Sequence, residues 1–107
     1  MYTNMEAYKT YSIYLWLNDK DTKKQKIWTL DAYKLVRNLV VSEFWAWTIT
    51  EANGVFSHES WEIVEEKTIK IELITEKSVD EFVKTLKAIF NQESVLVKTA
   101  IENINFA

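Results

Sequence analysis

Phe44-Trp45-Ala46-Trp47-Thr48-Ile49-Thr50-Glu51-Ala52-Asn53-Gly54-Val55, residues 44–55, is the stretch on which the fold turns. Trp45, Trp47 and Ile49 recur at every second position, the period of a strand. Ala52-Asn53-Gly54 is the strong turn signal of the chain, because Asn-Gly favours the tight turns that join antiparallel strands. From residue 55 to 75 the alternation resumes, with Trp61, Ile63, Ile69, Ile71 and Leu73 at odd positions. That run is too long for a simple strand. A long hairpin is therefore expected, turning at Asn53-Gly54 and broken near 57–60 or near 65–67.

Working outward, residues 11–17 alternate again. Tyr11, Ile13, Leu15 and Leu17 share one face, and Ser12, Tyr14 and Trp16 share the other. Residues 18–26 are polar and read as a loop. Residues 30–41 change period: Ala32, Leu35, Val36, Leu39 and Val40 recur at three and four, the stripe of a helix. Thr29 is placed to cap its start, and Asp31 meets the positive end of the helix dipole. Residues 78–91 form a second helix. There Ser78 and Glu81 have capping-box spacing, Val79, Val83, Leu86, Ile89 and Phe90 make the stripe, and Asn91 ends it. Residues 94–101 give a last strand, which Ile104 and Phe106 can extend.

The order β-α-β-β-α-β predicts an α+β, ferredoxin-like βαββαβ domain over residues 1–107: a four-stranded antiparallel sheet with two helices on one face. A sheet covered on one side alternates apolar and polar residues. Here Tyr14 and Trp16 face away from the helices, and the second strand reads as apolar on both sides. An exposed aromatic patch is expected, made of Tyr14, Trp16 and either the Trp45/Trp47 pair or Phe44, of the kind that marks an interaction surface.

Composition excludes much else. The 107 residues hold one Gly, no Pro and no Cys. No glycine-rich phosphate loop, disulfide, cysteine zinc site or thiol nucleophile can be written. No cofactor and no metal is expected. His58 sits between Ser57 and Glu59-Ser60, but neighbours on an extended chain point apart, so no triad forms there. The net charge of −3 lacks the basic excess of a nucleic-acid binder, so direct nucleic-acid binding is not expected. Lys20, Lys23, Lys24 and Lys26 form a local basic cluster interrupted by Asp19 and Asp21. No run of about 18 apolar residues appears, which predicts a soluble, cytoplasmic protein. Glu62, Glu65, Glu66 and Glu72 alternate with apolar residues and lysines along the hairpin. They read as a solvated strand face or as an acidic row that imitates phosphates toward a partner.

The segment from Glu51-Ala52-Asn53-Gly54-Val55-Phe56 through Trp61 to the run Phe90-Asn91-Gln92-Glu93-Ser94-Val95-Leu96-Val97 resembles small phage and mobile-element proteins of low-GC bacteria. In those proteins a hairpin precedes a glutamate-bearing strand and an F-N-Q-E-[SA]-V-L-V run opens the last one. The resemblance implies a ferredoxin-like, PII-like fold and a phage accessory role in the cytoplasm of a bacterial host. Polar Asn91, Gln92 and Glu93 are expected to satisfy loose backbone ends at the helix-to-strand junction. The expected function is a non-catalytic interaction protein, not an enzyme. It would bind a protein partner such as a host defence nuclease, as an anti-CRISPR-like inhibitor, through Tyr14, Trp16, Trp45, Trp47, Glu62, Glu65, Glu66 and Glu72. The sheet face also suits a homo-oligomer. The alternative is a PII-like homo-oligomeric sensor of a small molecule or nucleotide, with residues 20–26 meeting phosphates.

Overall fold

The computed structural model describes residues 3–4, 8–57, 61–101 and 105–106. Along the chain come β1 (Thr3–Asn4), β2 (Lys9–Trp16), α1 (Thr29–Glu43), β3 (Trp47–Ser57), β4 (Ile63–Thr75), α2 (Asp80–Ile89), β5 (Leu96–Ala100) and β6 (Asn105–Phe106). Four strands make an antiparallel sheet in the order β3-β4-β2-β5. This is the ferredoxin-like βαββαβ arrangement. The tail does not extend β5. Instead, β6 pairs with β1 in a separate two-stranded ladder, and Ile104 lies outside the described residues.

The core lies between the helices and one sheet face. Ile13 and Leu15 of β2 and Ile69, Ile71 and Leu73 of β4 are fully buried, and they meet Ala32, Val36 and Val40 of α1 and Phe82 and Leu86 of α2. Their alternation in the strands and their three-and-four spacing in the helices put them there. Phe82 belongs to this core and replaces the more exposed Ile89 of the expected stripe.

The lone glycine has a different role from the expected one. Gly54 is not a turn. It lies inside β3, paired with Glu66, at a negative φ. A Cβ there would stand 2.8 Å from Thr68 Oγ1 and 3.1 Å from Cδ1 and Nε1 of Trp16. The missing side chain makes room for the indole, the close approach that an isolated strand glycine signals. The chain leaves β3 at Ser57 and enters β4 at Ile63, so the first of the two expected breaks is correct and residues 65–67 are strand.

The helix starts differ from expectation as well. Thr29 is the first residue of α1 and makes no capping bond; its Oγ1 accepts from Gln25 Nε2 at 3.0 Å. Ser78 Oγ accepts from the N–H of Asp80, not of Glu81, and Glu81 pairs with Lys84 at 3.3 Å. The end of α2 is as read: Asn91 takes a φ of 48°, and Gln92 N–H closes on the carbonyl of Lys87 at 3.0 Å. No described helix is long and apolar enough to cross a membrane.

Candidate functional site

The sheet face away from the helices is more polar than the sequence suggested. Strand β3 begins at Trp47, so Phe44 and Trp45 precede it. Phe44 turns inward against Phe82, with ring centroids 5.4 Å apart. Trp47 and Ile49 pair with Leu73 and Ile71, on the helix side, leaving Thr48 and Thr50 on the open side. The four expected aromatics thus do not share a face: Tyr14 and Trp16 are on the open side, and Trp47 is at an edge.

Register arranges the open face in rows, because directly paired residues point the same way. One row runs Thr48, Glu72, Ser12, Lys98 across the four strands. The next runs Thr50, Lys70, Tyr14, Leu96, and a third runs Ala52, Thr68, Trp16. The expected acidic row is divided. Glu66 and Glu72 share the open side with Thr68 and Lys70 between them, Glu65 points to the other side, and exposed Glu62 precedes β4. His58, Glu59 and Ser60 lie outside the described residues.

At the top of the face is a cleft of about 450 Å³ lined by Trp45, Ala46, Trp47, Thr48, Glu72 and Ile74. Its size is that of a small-molecule site. The N–H of Ile74 donates to the carbonyl of Ala46 at 3.1 Å, which holds the link between α1 and β3 against β4. Tyr8 packs edge-on to Trp45 with centroids 6.0 Å apart. Trp45 remains 56% exposed beside its Tyr8 contact, and Trp47, at the helix-side edge of β3, remains 38% exposed. Glu72 is half-buried and, among the described residues, is the one carboxylate that lines the cleft.

In the neighbouring row, Tyr14 sits between two lysines. Lys70 Nζ, from β4, is 5.7 Å from its ring centroid, and Lys98 Nζ, from β5, is 5.2 Å away. Sequence reading missed both. Lys70 was legible from the alternation of β4. Lys98 was not, because β2 lies between β4 and β5 only through non-consecutive pairing.

At the opposite end of the face, Glu66 is half-buried and accepts the N–H of Asn18 at 3.0 Å. Burial pushes its carboxyl above the ordinary value, and the Asn18 bond opposes that shift. The loop at 18–26 is a closed structural unit. Asp19 accepts N–H bonds from Asp21 and Thr22, each 2.9 Å, and the Asn91 side-chain amide at 2.7 Å; Lys26 stands 3.5 Å away. The Thr22 N–H and then the Asn91 amide hold Asp19 well below the usual carboxylate range. Gln92 Nε2 donates to the Asn18 carbonyl at 2.6 Å. Gln92 therefore ties backbone carbonyls, as its polarity at this junction predicted, whereas the Asn91 amide binds the carboxylates of Asp19 and Asp21.

No family model matches the chain, and no curated protein matches it. Solved structures do. A phage SAM lyase in complex with S-methyl-5′-thioadenosine superposes with a TM-score of 0.63 and 20% identity, over 96% of this chain and 88% of the other. A phage SAM lyase in its apo state superposes with a TM-score of 0.61 and 22% identity, over 92% and 84%. The likeness establishes the fold. It overturns the expectation of a non-catalytic interaction protein, whether inhibitor or sensor, since both of these proteins are enzymes. That expectation rested on missing nucleophiles, metal ligands and phosphate loops. A substrate that carries its own leaving group needs none of them.

Proposed function

We propose that this protein is an enzyme that cleaves S-adenosylmethionine to S-methyl-5′-thioadenosine, and that the cleft of Trp45, Trp47 and Glu72 receives the nucleoside. The observation that carries the reading is the cleft itself: two partly exposed tryptophans and one carboxylate line it, Trp47 from the edge of β3. The fold shared with a lyase solved with that thioether supports the choice of ligand. The same likeness supports a phage origin and action in the cytoplasm of a bacterial host.

The chemistry suits such a wall. A purine stacks on an indole, worth about 1–3 kcal/mol per base by alanine substitution. A sulfonium is a cation, drawn both to the indole faces and to the Glu72 carboxylate. When the bond from sulfur to the amino-acid chain breaks, its electron pair passes to sulfur and the charge there vanishes. A lyase adds no water. The four-carbon fragment regains its valence from within the substrate, from its own carboxylate or from a neighbouring C–H bond.

Excluding water from the wall favours the neutral thioether over the sulfonium, and so the transition state, against the pull of the indole faces on the cation. Glu72 acts in the opposite sense: it holds the sulfonium in the ground state. Glu72→Gln is therefore expected to raise KM about tenfold while leaving kcat unchanged or higher. Binding is read from the indoles. Titration with S-methyl-5′-thioadenosine is expected to quench tryptophan fluorescence saturably, and Trp45→Phe with Trp47→Phe is expected to abolish the change. Saturable quenching that survives both substitutions would put the nucleoside elsewhere.

A further inference from the structure

Lys70 and Lys98 approach one tyrosine ring from the strands on either side of it. Among the described residues the ion pairs are Lys26 with Asp19 and Lys84 with Glu81, so neither lysine has a carboxylate partner there. Two ammonium groups flanking one ring repel each other, and an anion at the ring's edge, within reach of both flexible side chains, would relieve that repulsion. Tyr14 adds a hydroxyl donor to the same place.

From this geometry we infer that Lys70, Lys98 and Tyr14 form a seat for a carboxylate, and that it takes the amino-acid end of S-adenosylmethionine. The assignment rests on the proposed substrate and adds the part of the site that reads its methionine portion. Position supports it. Lys70 precedes Glu72 by two residues along β4, a span of roughly 7 Å and so near the reach of a four-carbon chain running from sulfur to carboxylate. Ser12 and Lys98 continue the row that starts at Thr48 and Glu72, so the seat and the cleft share one open surface. A nucleoside stacked in the cleft, a sulfonium beside Glu72 and a carboxylate within reach of both lysines would lie along a single path.

Two neutral thioethers test this. S-methyl-5′-thioadenosine has the nucleoside and no carboxylate; S-adenosylhomocysteine has both. Calorimetric titration of the full chain is expected to show S-adenosylhomocysteine binding more tightly. In the double variant Lys70→Gln, Lys98→Gln its affinity is expected to fall about tenfold or more, while the affinity for S-methyl-5′-thioadenosine changes less than about twofold. Retained binding of the smaller ligand also reports that the variant is folded. The pair Lys70→Arg, Lys98→Arg is expected to keep most of the affinity that the Gln pair loses. Equal losses for both ligands, or no loss for either, would overturn the carboxylate seat and leave the cleft intact. If the wild-type chain binds neither thioether, the nucleoside reading of the cleft fails and the seat falls with it.

Discussion

A methyl group on Gly54 would stand 2.8 Å from a hydroxyl oxygen and 3.1 Å from two indole atoms, in a strand with ordinary backbone angles. The constraint is space and not conformation. Gly54→Ala is expected to destabilise the fold by about 1–3 kcal/mol, the usual range for overpacking. Trp16→Leu should remove the part of that penalty owed to the indole and leave the closer contact with Thr68 Oγ1, so a double-mutant cycle read by denaturant unfolding should show partial coupling between positions 16 and 54. Two carboxyls give opposite pH signatures. Asp19, held below its ordinary 3.8, contributes stability above that pH, which is lost as pH falls toward its depressed value. Glu66, raised above its ordinary 4.5, contributes fully below 4.5 and loses that contribution as pH rises through its raised value. Asp19→Asn sets two amide donors against each other at Asn91, so it should lower the melting temperature at neutral pH and matter less in acid. Glu66→Gln should raise it at neutral pH and change little near about pH 4. The two melting curves across pH check both signs. The sequence showed that Gly54 was special without showing why: Asn-Gly reads as a turn from local chemistry alone, and Trp16, far along the chain, decides otherwise.

Among the elements, β3 and β4 outrun the rest of the sheet. β2 pairs β4 only over residues 68–75, while β3 and β4 continue together to Ser57 and Ile63. The extension is a two-stranded ribbon, marginal in water without a third strand. It carries exposed Val55 and Ile63, followed at its tip by Trp61, 87% exposed and at a φ of 66°. Amide hydrogen exchange is expected to be faster in 53–57 and 63–67 than in 68–75, because the outer ladder opens without breaking the core. Equal protection along both strands would mean that something covers the ribbon. The helices were legible from their stripes, and the end of α2 was legible from Asn91. Their starts were not, since the Thr29 hydroxyl is engaged by Gln25 and Ser78 serves the residue before its expected partner. Asn91→Ala is expected to cost about 2 kcal/mol, losing amide bonds to two carboxylates and straining a left-handed residue.

Across the whole molecule, alternation of period two, then 3.6, then two again was sufficient to place the strands and helices in a ferredoxin-like order. It also directed attention to the face opposite the helices, through Tyr14 and Trp16. It did not show how strands distant in sequence align. The pairing of β2 with both β4 and β5 brings Lys70 and Lys98 to Tyr14, and the late start of β3 moves Trp45 and Trp47 to the rim of a cleft. The expectation of an interaction surface arose from surplus sheet aromatics beside missing catalytic constellations, with Glu72 read as part of an acidic row and Lys70 and Lys98 not placed beside Tyr14. The central claim is that this face cleaves a sulfonium nucleoside. The most direct test is to incubate the purified protein with S-adenosylmethionine and follow both substrate and S-methyl-5′-thioadenosine by chromatography. The account predicts that the thioether appears mole for mole as substrate disappears, well above spontaneous decay, and that Glu72→Gln needs about tenfold more substrate for the same rate. Thioether formation no faster than in buffer alone, from a folded protein at saturating substrate, would contradict it.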